Sequence, residues 1–138
     1  MSVEKSSVLA EKRTNTTKMS DLIRYVSFGL LAVYYSILTS DSDFAKLIIS
    51  NSSTLLQLIA IAGVGAILCD YIQYWCGAKN SEASLASPLL DEHGNPSDEY
   101  TYPDDVFKKL RLLFFRVKQG LTFAGVVILI IVIFCNKP

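Results

Sequence analysis

Three long apolar blocks, separated by polar segments, dominate the pattern of residues along this chain. The blocks cover residues 22–38, 47–75 and 121–135. Each is much longer than an ordinary strand of about 5–6 residues, and a helix of about 20 apolar residues crosses the ~30 Å hydrocarbon core of a bilayer. The pattern therefore predicts an all-α integral membrane protein with three transmembrane helices.

Local signals predict where the first two spans start. Ser20 and Asp21 provide a hydroxyl and then a carboxylate, which favour a helix N-cap and first turn. We therefore expect the first helix to begin there, after a mobile tail or a weak surface helix. Polar residues at 51–54 interrupt the second block, so its span is predicted to start near Thr54.

A basic amphipathic helix is predicted to lead directly into the third span. Thr101 and Asp104 resemble a capping box at its start. Apolar residues then recur at three- and four-residue spacing, at Val106, Leu110, Leu113, Val117 and Leu121. The basic residues around them are Lys108, Lys109, Arg111, Arg116 and Lys118. These cations are either the ordinary positive flank of a span, or a surface that binds anionic lipids or a protein partner.

These features divide the chain into four parts. Residues 1–20 are a polar tail, and residues 21–76 hold the first two spans with a short outer link. Residues 77–103 form an acidic segment rich in turn-forming residues, which predicts a loop. Residues 104–138 hold the basic helix and the third span.

The basic residues are unevenly distributed between the two sides of the predicted spans. Five of them precede or begin the first span: Lys5, Lys12, Arg13, Lys18 and Arg24. Six more lie between the second and third spans, whereas the outer link has only Lys46 and the C-terminal end only Lys137. By the positive-inside rule, the N-terminus and residues 77–118 are cytosolic and the C-terminus is outside. We expect a multi-pass protein of the cell membrane.

Asp70 is the ionisable residue that stands out inside the second block. Arg24 in the first span lies at a similar expected depth, so the two residues are predicted to form an ion pair. Gln73 lies one turn beyond Asp70, and Gln57 is the other polar candidate near mid-membrane. Two interpretations remain open: a structural ion pair, or a proton or cation site.

Small residues form surfaces where another helix can approach closely. They are Ala62, Gly63, Gly65 and Ala66 in the second block, with Gly120 and Ala124 in the third. These surfaces are predicted to pack either within the chain or between copies in a homo-oligomer.

The sequence argues against catalysis, metal binding and nucleic-acid binding. It has one His, and it contains neither a P-loop nor a nucleophile elbow. Cys69, Cys76 and Cys135 lack the spacing of metal ligands. The net charge is zero, and the basic residues flank apolar helices instead of forming a groove-binding face. We expect no enzyme activity, no cofactor and no nucleic-acid partner.

Three functions are consistent with this pattern. We predict a small, oligomeric, channel-like or membrane-perturbing effector that is controlled through its cytosolic loop, since the chain is small and carries small-residue helix surfaces. The first alternative is a membrane-anchored adaptor or regulatory subunit that docks a cytosolic protein through residues 77–118. The second alternative is a small transporter centred on Asp70, although one intramembrane carboxylate is a thin basis for it.

Overall fold

The computed structural model describes residues 5–86 and 106–136, and this part of the chain consists of three α-helices. They are α1 (Lys5–Thr39), α2 (Asp43–Ala86) and α3 (Val106–Cys135). All three contain a segment that is long and apolar enough to cross a membrane. The predicted all-α fold is therefore confirmed for the described residues, with three helices that are long and apolar enough to be the predicted spans. Thr101, Asp104 and the 87–103 part of the predicted loop lie outside them.

Two helix ends differ from the sequence-based expectation. α1 begins at Lys5, so Ser20 is inside the helix and is not its N-cap. Residues 5–19 contain neither Gly nor Pro, and nothing in them breaks a helix that continues into the first span. Residues 77–86, expected in the loop, instead extend α2, because a single Gly77 is tolerated in a helix at a cost of about 1 kcal/mol.

The start of α2 is shaped by serines. The Ser42 hydroxyl accepts a hydrogen bond from the Ala45 backbone N–H at 3.2 Å, which caps the helix, and Asp43 follows in the first turn. Ser52 has non-helical backbone angles (φ −134°, ψ 27°), so α2 is kinked inside the polar segment 51–54. Asn136 at the end of α3 donates a hydrogen bond to the Ser52 hydroxyl at 2.9 Å. This contact fixes the kink against the third helix.

α2 runs antiparallel to both other helices and packs most extensively against α3. α1 and α3 run parallel: Ser20 lies beside Lys118, and Ser27 beside Thr122. The half of the bundle near the link between α1 and α2 is filled by an apolar core. Its buried residues are Leu30, Ile48, Leu56, Ile59 and Val132. The other half contains the buried polar side chains described below.

Small residues allow the three helices to approach closely. A Cβ on Gly63 would lie 3.0 Å from the Leu31 side chain, and one on Gly125 would lie 2.7 Å from Leu30. A Cβ on Gly65 would similarly lie 3.1 Å from Leu121. Two alanines of the same surface, Ala62 and Ala66, are also buried. The predicted small-residue surface of the second block therefore packs within the chain.

Gly120 and Ala124 are placed differently. A Cβ on Gly120 would have nothing within 4 Å, and Ala124 is exposed. This small-residue surface of α3 is not used for packing inside the chain.

The outer faces of the helices are strongly apolar. Large side chains such as Ile61, Leu68 and Phe123 point outward and are 62%, 57% and 73% exposed. Soluble proteins rarely expose so much contiguous apolar surface, whereas lipid chains solvate it well. Together with the three span-length helices, this surface is that of a multi-pass membrane protein.

Candidate functional site

Four buried or half-buried side chains from all three helices form what we call the ionic cluster: Ser20, Arg24, Asp70 and Lys118. The Asp70 carboxylate is its centre and is almost fully buried. Its Oδ2 atom accepts from Arg24 Nε at 2.9 Å and lies 2.8 Å from Arg24 Nη2. The predicted contact between Arg24 and Asp70 is thus confirmed.

Lys118 is the unexpected member of the cluster. It was expected among the cations that bind lipid or a partner, but its side chain is 0% exposed. Its ammonium donates to Asp70 Oδ1 and, at 2.6 Å, to the Ser20 hydroxyl. The expectation is therefore wrong for Lys118, because the side chain points into the bundle and cannot reach headgroups.

The inward face of α3 explains this placement. Its buried residues are Lys118, Thr122, Gly125 and Val132, which recur at helical spacing. The apolar stripe predicted from the sequence is instead partly outward, since Val106 and Leu113 are more than half exposed. The four-residue step from Lys118 to Thr122 fits this inward face, but in the sequence alone it does not distinguish that face from the other faces of α3.

The side chains of the ionic cluster form further hydrogen bonds with one another and with neighbouring residues. Ser20 donates to Asp70 Oδ1 at 3.2 Å while it accepts from Lys118. Arg24 also lies 3.4 Å from Asp21 and donates to the Tyr74 hydroxyl at 2.8 Å. Counted together with the neighbouring Asp21, Asp70 supplies the second of two carboxylates that balance the two cations of the cluster. Pairing of this kind lowers the cost of holding charges within a membrane protein.

A second polar contact lies about one turn deeper in the bundle. The Ser27 hydroxyl donates to the Ile23 carbonyl at 2.8 Å and is 3.1 Å from the Thr122 hydroxyl. Since a hydroxyl has a single hydrogen, Thr122 is the donor to Ser27. This hydrogen bond joins α1 to α3, the pair of helices that contact each other least.

The two glutamines predicted as intramembrane polar residues do not join the ionic cluster. Gln57 is exposed, and 13 residues of helix place it roughly 20 Å from Asp70 along α2. Gln73 is half-buried beside the cluster, and its Oε1 atom is buried with no hydrogen-bond partner. The structure therefore brings Gln73, but not Gln57, close to the charged residues.

A polar cavity of about 510 Å³ lies next to the ionic cluster. Residues of all three helices line it, among them Thr16, Ser20, Gln73, Tyr74, Ser81 and Arg111. Ser20 belongs to both the cavity wall and the ionic cluster. Sequence reasoning missed this cavity, because its wall combines α1 residues assigned to a tail with α2 residues assigned to a loop.

The other basic residues of α3 lie on its surface. Lys108, Lys109, Arg111 and Arg116 are exposed, so they keep the outward position that was expected. Within the described residues, His, Cys, Asp and Glu form no group of three that could hold a metal ion. Cys69 and Cys76 are buried free thiols, and Cys135 is an exposed one.

Comparison of the chain with family models, curated proteins and solved structures finds no match. Function is therefore inferred from the geometry.

Proposed function

We propose that this protein is a membrane-anchored adaptor or regulatory subunit that docks a cytosolic protein on a helical extension. The helical extension comprises residues 5–19, 71–86 and 106–117, which lie beyond the ionic cluster at one end of the bundle. α2 continues 16 residues past Asp70, or about 24 Å at 1.5 Å per residue. All three helices project on the same side, and this observation carries the proposal.

Side-chain packing joins helices of the helical extension, and its surface carries charges. Trp75 and Phe107 meet edge to face, with ring centroids 6.1 Å apart, and so join α2 to α3. An exposed ion pair of Lys79 and Glu82 lies on the surface of α2. The exposed cations of α3 add further positive charge to the helical extension. A charged helical surface of this kind suits protein recognition, where complementary charge speeds association and selects partners.

The side of the membrane follows from charge. Basic residues concentrate on the tail and on residues 77–118, which belong to this same end of the bundle. The positive-inside rule therefore favours a cytosolic location for the helical extension.

The rest of the bundle does not favour transport through one chain. Its opposite half is filled by the apolar core, in which Ile48, Ile59 and Val132 are at most 1% exposed. Asp70 is held by two cations and a hydroxyl, so its carboxylate is occupied. These features support an anchor more than a single-chain pore or a transporter centred on Asp70.

Affinity purification of the full chain from native membranes in mild detergent tests the adaptor proposal. The variant replaces Lys108, Lys109 and Arg116 by Gln, and the control replaces Lys46 on the outer link. We expect a soluble protein to co-purify with the wild type and the control and to be lost from the triple variant. Identical co-purifying proteins in all three samples would contradict the proposal.

A second candidate is a homo-oligomeric, channel-like or membrane-perturbing effector, in which the pore forms between copies. The observation that favours it is the unused small-residue surface at Gly120 and Ala124. Its test is ion leakage from liposomes together with the oligomeric state in mild detergent. Gly120→Leu should abolish both assembly and leakage, whereas Gly29→Leu, at another open glycine, should not. A monomer that causes no leakage would exclude this function.

A further inference from the structure

We propose that the polar cavity binds a polyol phosphate, that is, a phosphate group whose attached alcohol carries free hydroxyls. This inference concerns a ligand site and is independent of the docking proposed above. At about 510 Å³, the cavity has the size of a small-molecule site, for which about 300–1,000 Å³ is usual.

The anionic end of the ligand is indicated by Arg111. Its guanidinium lies at the cavity wall close to Gly77, where an added Cβ would be 3.9 Å from Cζ. Among the described residues Arg111 has no carboxylate partner, whereas the two cations of the ionic cluster are balanced by Asp21 and Asp70. The cavity therefore has one cation in excess. A guanidinium of this kind binds phosphate oxygens through charge-assisted hydrogen bonds.

Other residues of the cavity lining offer acceptors. Gln73 Oε1 is buried and lacks a donor. The Ser20 and Ser81 hydroxyls each donate elsewhere, to Asp70 and to the Gly77 carbonyl, so only their lone pairs remain for a ligand. A ligand that fills the cavity must therefore supply hydrogen-bond donors to these acceptors. Buried acceptors left without a donor are unusual in folded proteins.

Hydroxyls are better donors here than an ammonium group. The Lys118 ammonium is 2.6 Å from the Ser20 oxygen, and a second ammonium bound to the same oxygen would be repelled by it. Tyr74 adds a donor to the lining, because its hydroxyl accepts from Arg24 and keeps its own hydrogen. A lining that combines an arginine and a phenol with these acceptors matches a phosphate joined to a neutral polyol.

The cavity lies at the end of the bundle where the ionic cluster meets the helical extension, and we infer that this end reaches the lipid headgroups. The polyol phosphate is thus either a lipid headgroup or a soluble molecule. Retention of lipids by the full-length protein in detergent, measured by native mass spectrometry, tests the site. We expect phosphatidylglycerol to be retained at least tenfold more than phosphatidylethanolamine, which presents an ammonium.

Two variants test separately the residue assigned to the phosphate and a residue assigned to the polyol. Arg111→Gln should weaken phosphatidylglycerol binding about 10- to 100-fold, as expected for loss of charged hydrogen bonds. Its control, Arg116→Gln, removes the same charge from the same helix outside the cavity and should change binding less than twofold. Gln73→Met should lower the retention of phosphatidylglycerol to that of phosphatidic acid, a lipid that lacks the headgroup glycerol. The same variant should leave the retention of phosphatidic acid itself unchanged.

Addition of soluble glycerol phosphate identifies the source of the ligand. Displacement of the lipid would show that the polyol phosphate alone is bound, and retention would show that the acyl chains contribute; either result supports the site. Equal retention of phosphatidylglycerol and phosphatidylethanolamine would overturn the proposal. Equal effects of Arg111→Gln and Arg116→Gln, or the absence of any retained or soluble ligand, would also overturn it.

Discussion

Lys118 on α3 donates a hydrogen bond to Asp70 on α2, and this bond closes a network that ties all three helices together. Ser20 and Arg24 supply the contacts from α1. The Lys118 side chain has no exposed surface, so water cannot replace Asp70 as the partner of its ammonium group. Removal of one partner from a buried pair typically destabilises a protein by about 3–5 kcal/mol, because the other charge is left uncompensated.

A double-mutant cycle measures the bond between Lys118 and Asp70. Asp70→Asn alone should lower the free energy of unfolding by about 3 kcal/mol, since it leaves two cations with one neutral amide. The double variant Asp70→Asn/Lys118→Met should be more stable than the sum of the single changes, by about 1–3 kcal/mol. Unfolding in mild detergent gives the four free energies of unfolding that the cycle needs: those of the wild type, Asp70→Asn, Lys118→Met and the double variant. Strict additivity would show that the two residues do not interact.

Arg24 should matter less than Asp70. Its side chain is 33% exposed, and Asp70 keeps Lys118 as a partner when the guanidinium is removed. Arg24→Gln is therefore expected to lower the free energy of unfolding by only about 1 kcal/mol, against about 3 kcal/mol for Asp70→Asn. The same unfolding assay compares them. A larger loss of unfolding free energy for Arg24→Gln than for Asp70→Asn would contradict this account, because it would show that Asp70 is not the centre of the network.

Two glycines of α3 provide a matched pair for the helix packing. Gly125→Ala would bring a methyl group to 2.7 Å from Leu30 and 3.1 Å from Ala62, so we expect a loss of about 1–3 kcal/mol. Gly120→Ala has open space around it, and better helix propensity should stabilise the helix by up to about 1 kcal/mol. Thermal unfolding in detergent distinguishes them, and a loss at Gly120 equal to that at Gly125 would contradict this packing.

The three spans and the contact between Arg24 and Asp70 could be predicted from the sequence. Length and apolarity determine the spans, and two opposite charges at similar depth in a membrane are expected to pair. Neither conclusion requires knowledge of side-chain packing.

The role of Lys118 could not be predicted in the same way. It follows four exposed cations, and the positive-inside rule accounts for such a run without any buried member. Its inward direction depends on the rotation of α3 about its axis, which is determined by packing of Gly125 and Val132 against the other helices. Ser20 was misassigned for a similar reason. A local capping signal says nothing about whether the preceding residues are also helical.

Native and introduced cysteines test the topology. Cys135 is exposed at the end of α3, whereas Cys69 and Cys76 are buried. An impermeant maleimide should therefore label the wild type on intact cells through Cys135. In a Cys135→Ser background, Asp41→Cys should be labelled from outside and Glu82→Cys only after permeabilisation. Labelling of Glu82→Cys on intact cells would contradict the predicted orientation, because it would place the helical extension outside the cell.

Photo-crosslinking in living cells tests the adaptor proposal most directly. A photoreactive amino acid replaces Lys109 on the exposed face of the helical extension, and the control places it at Asp41 on the outer link. We predict that the probe at position 109 crosslinks to a protein that an alkaline wash otherwise removes from the membrane, and that the probe at position 41 does not. Crosslinks at position 109 only to lipid or to further copies of this chain would contradict the proposal.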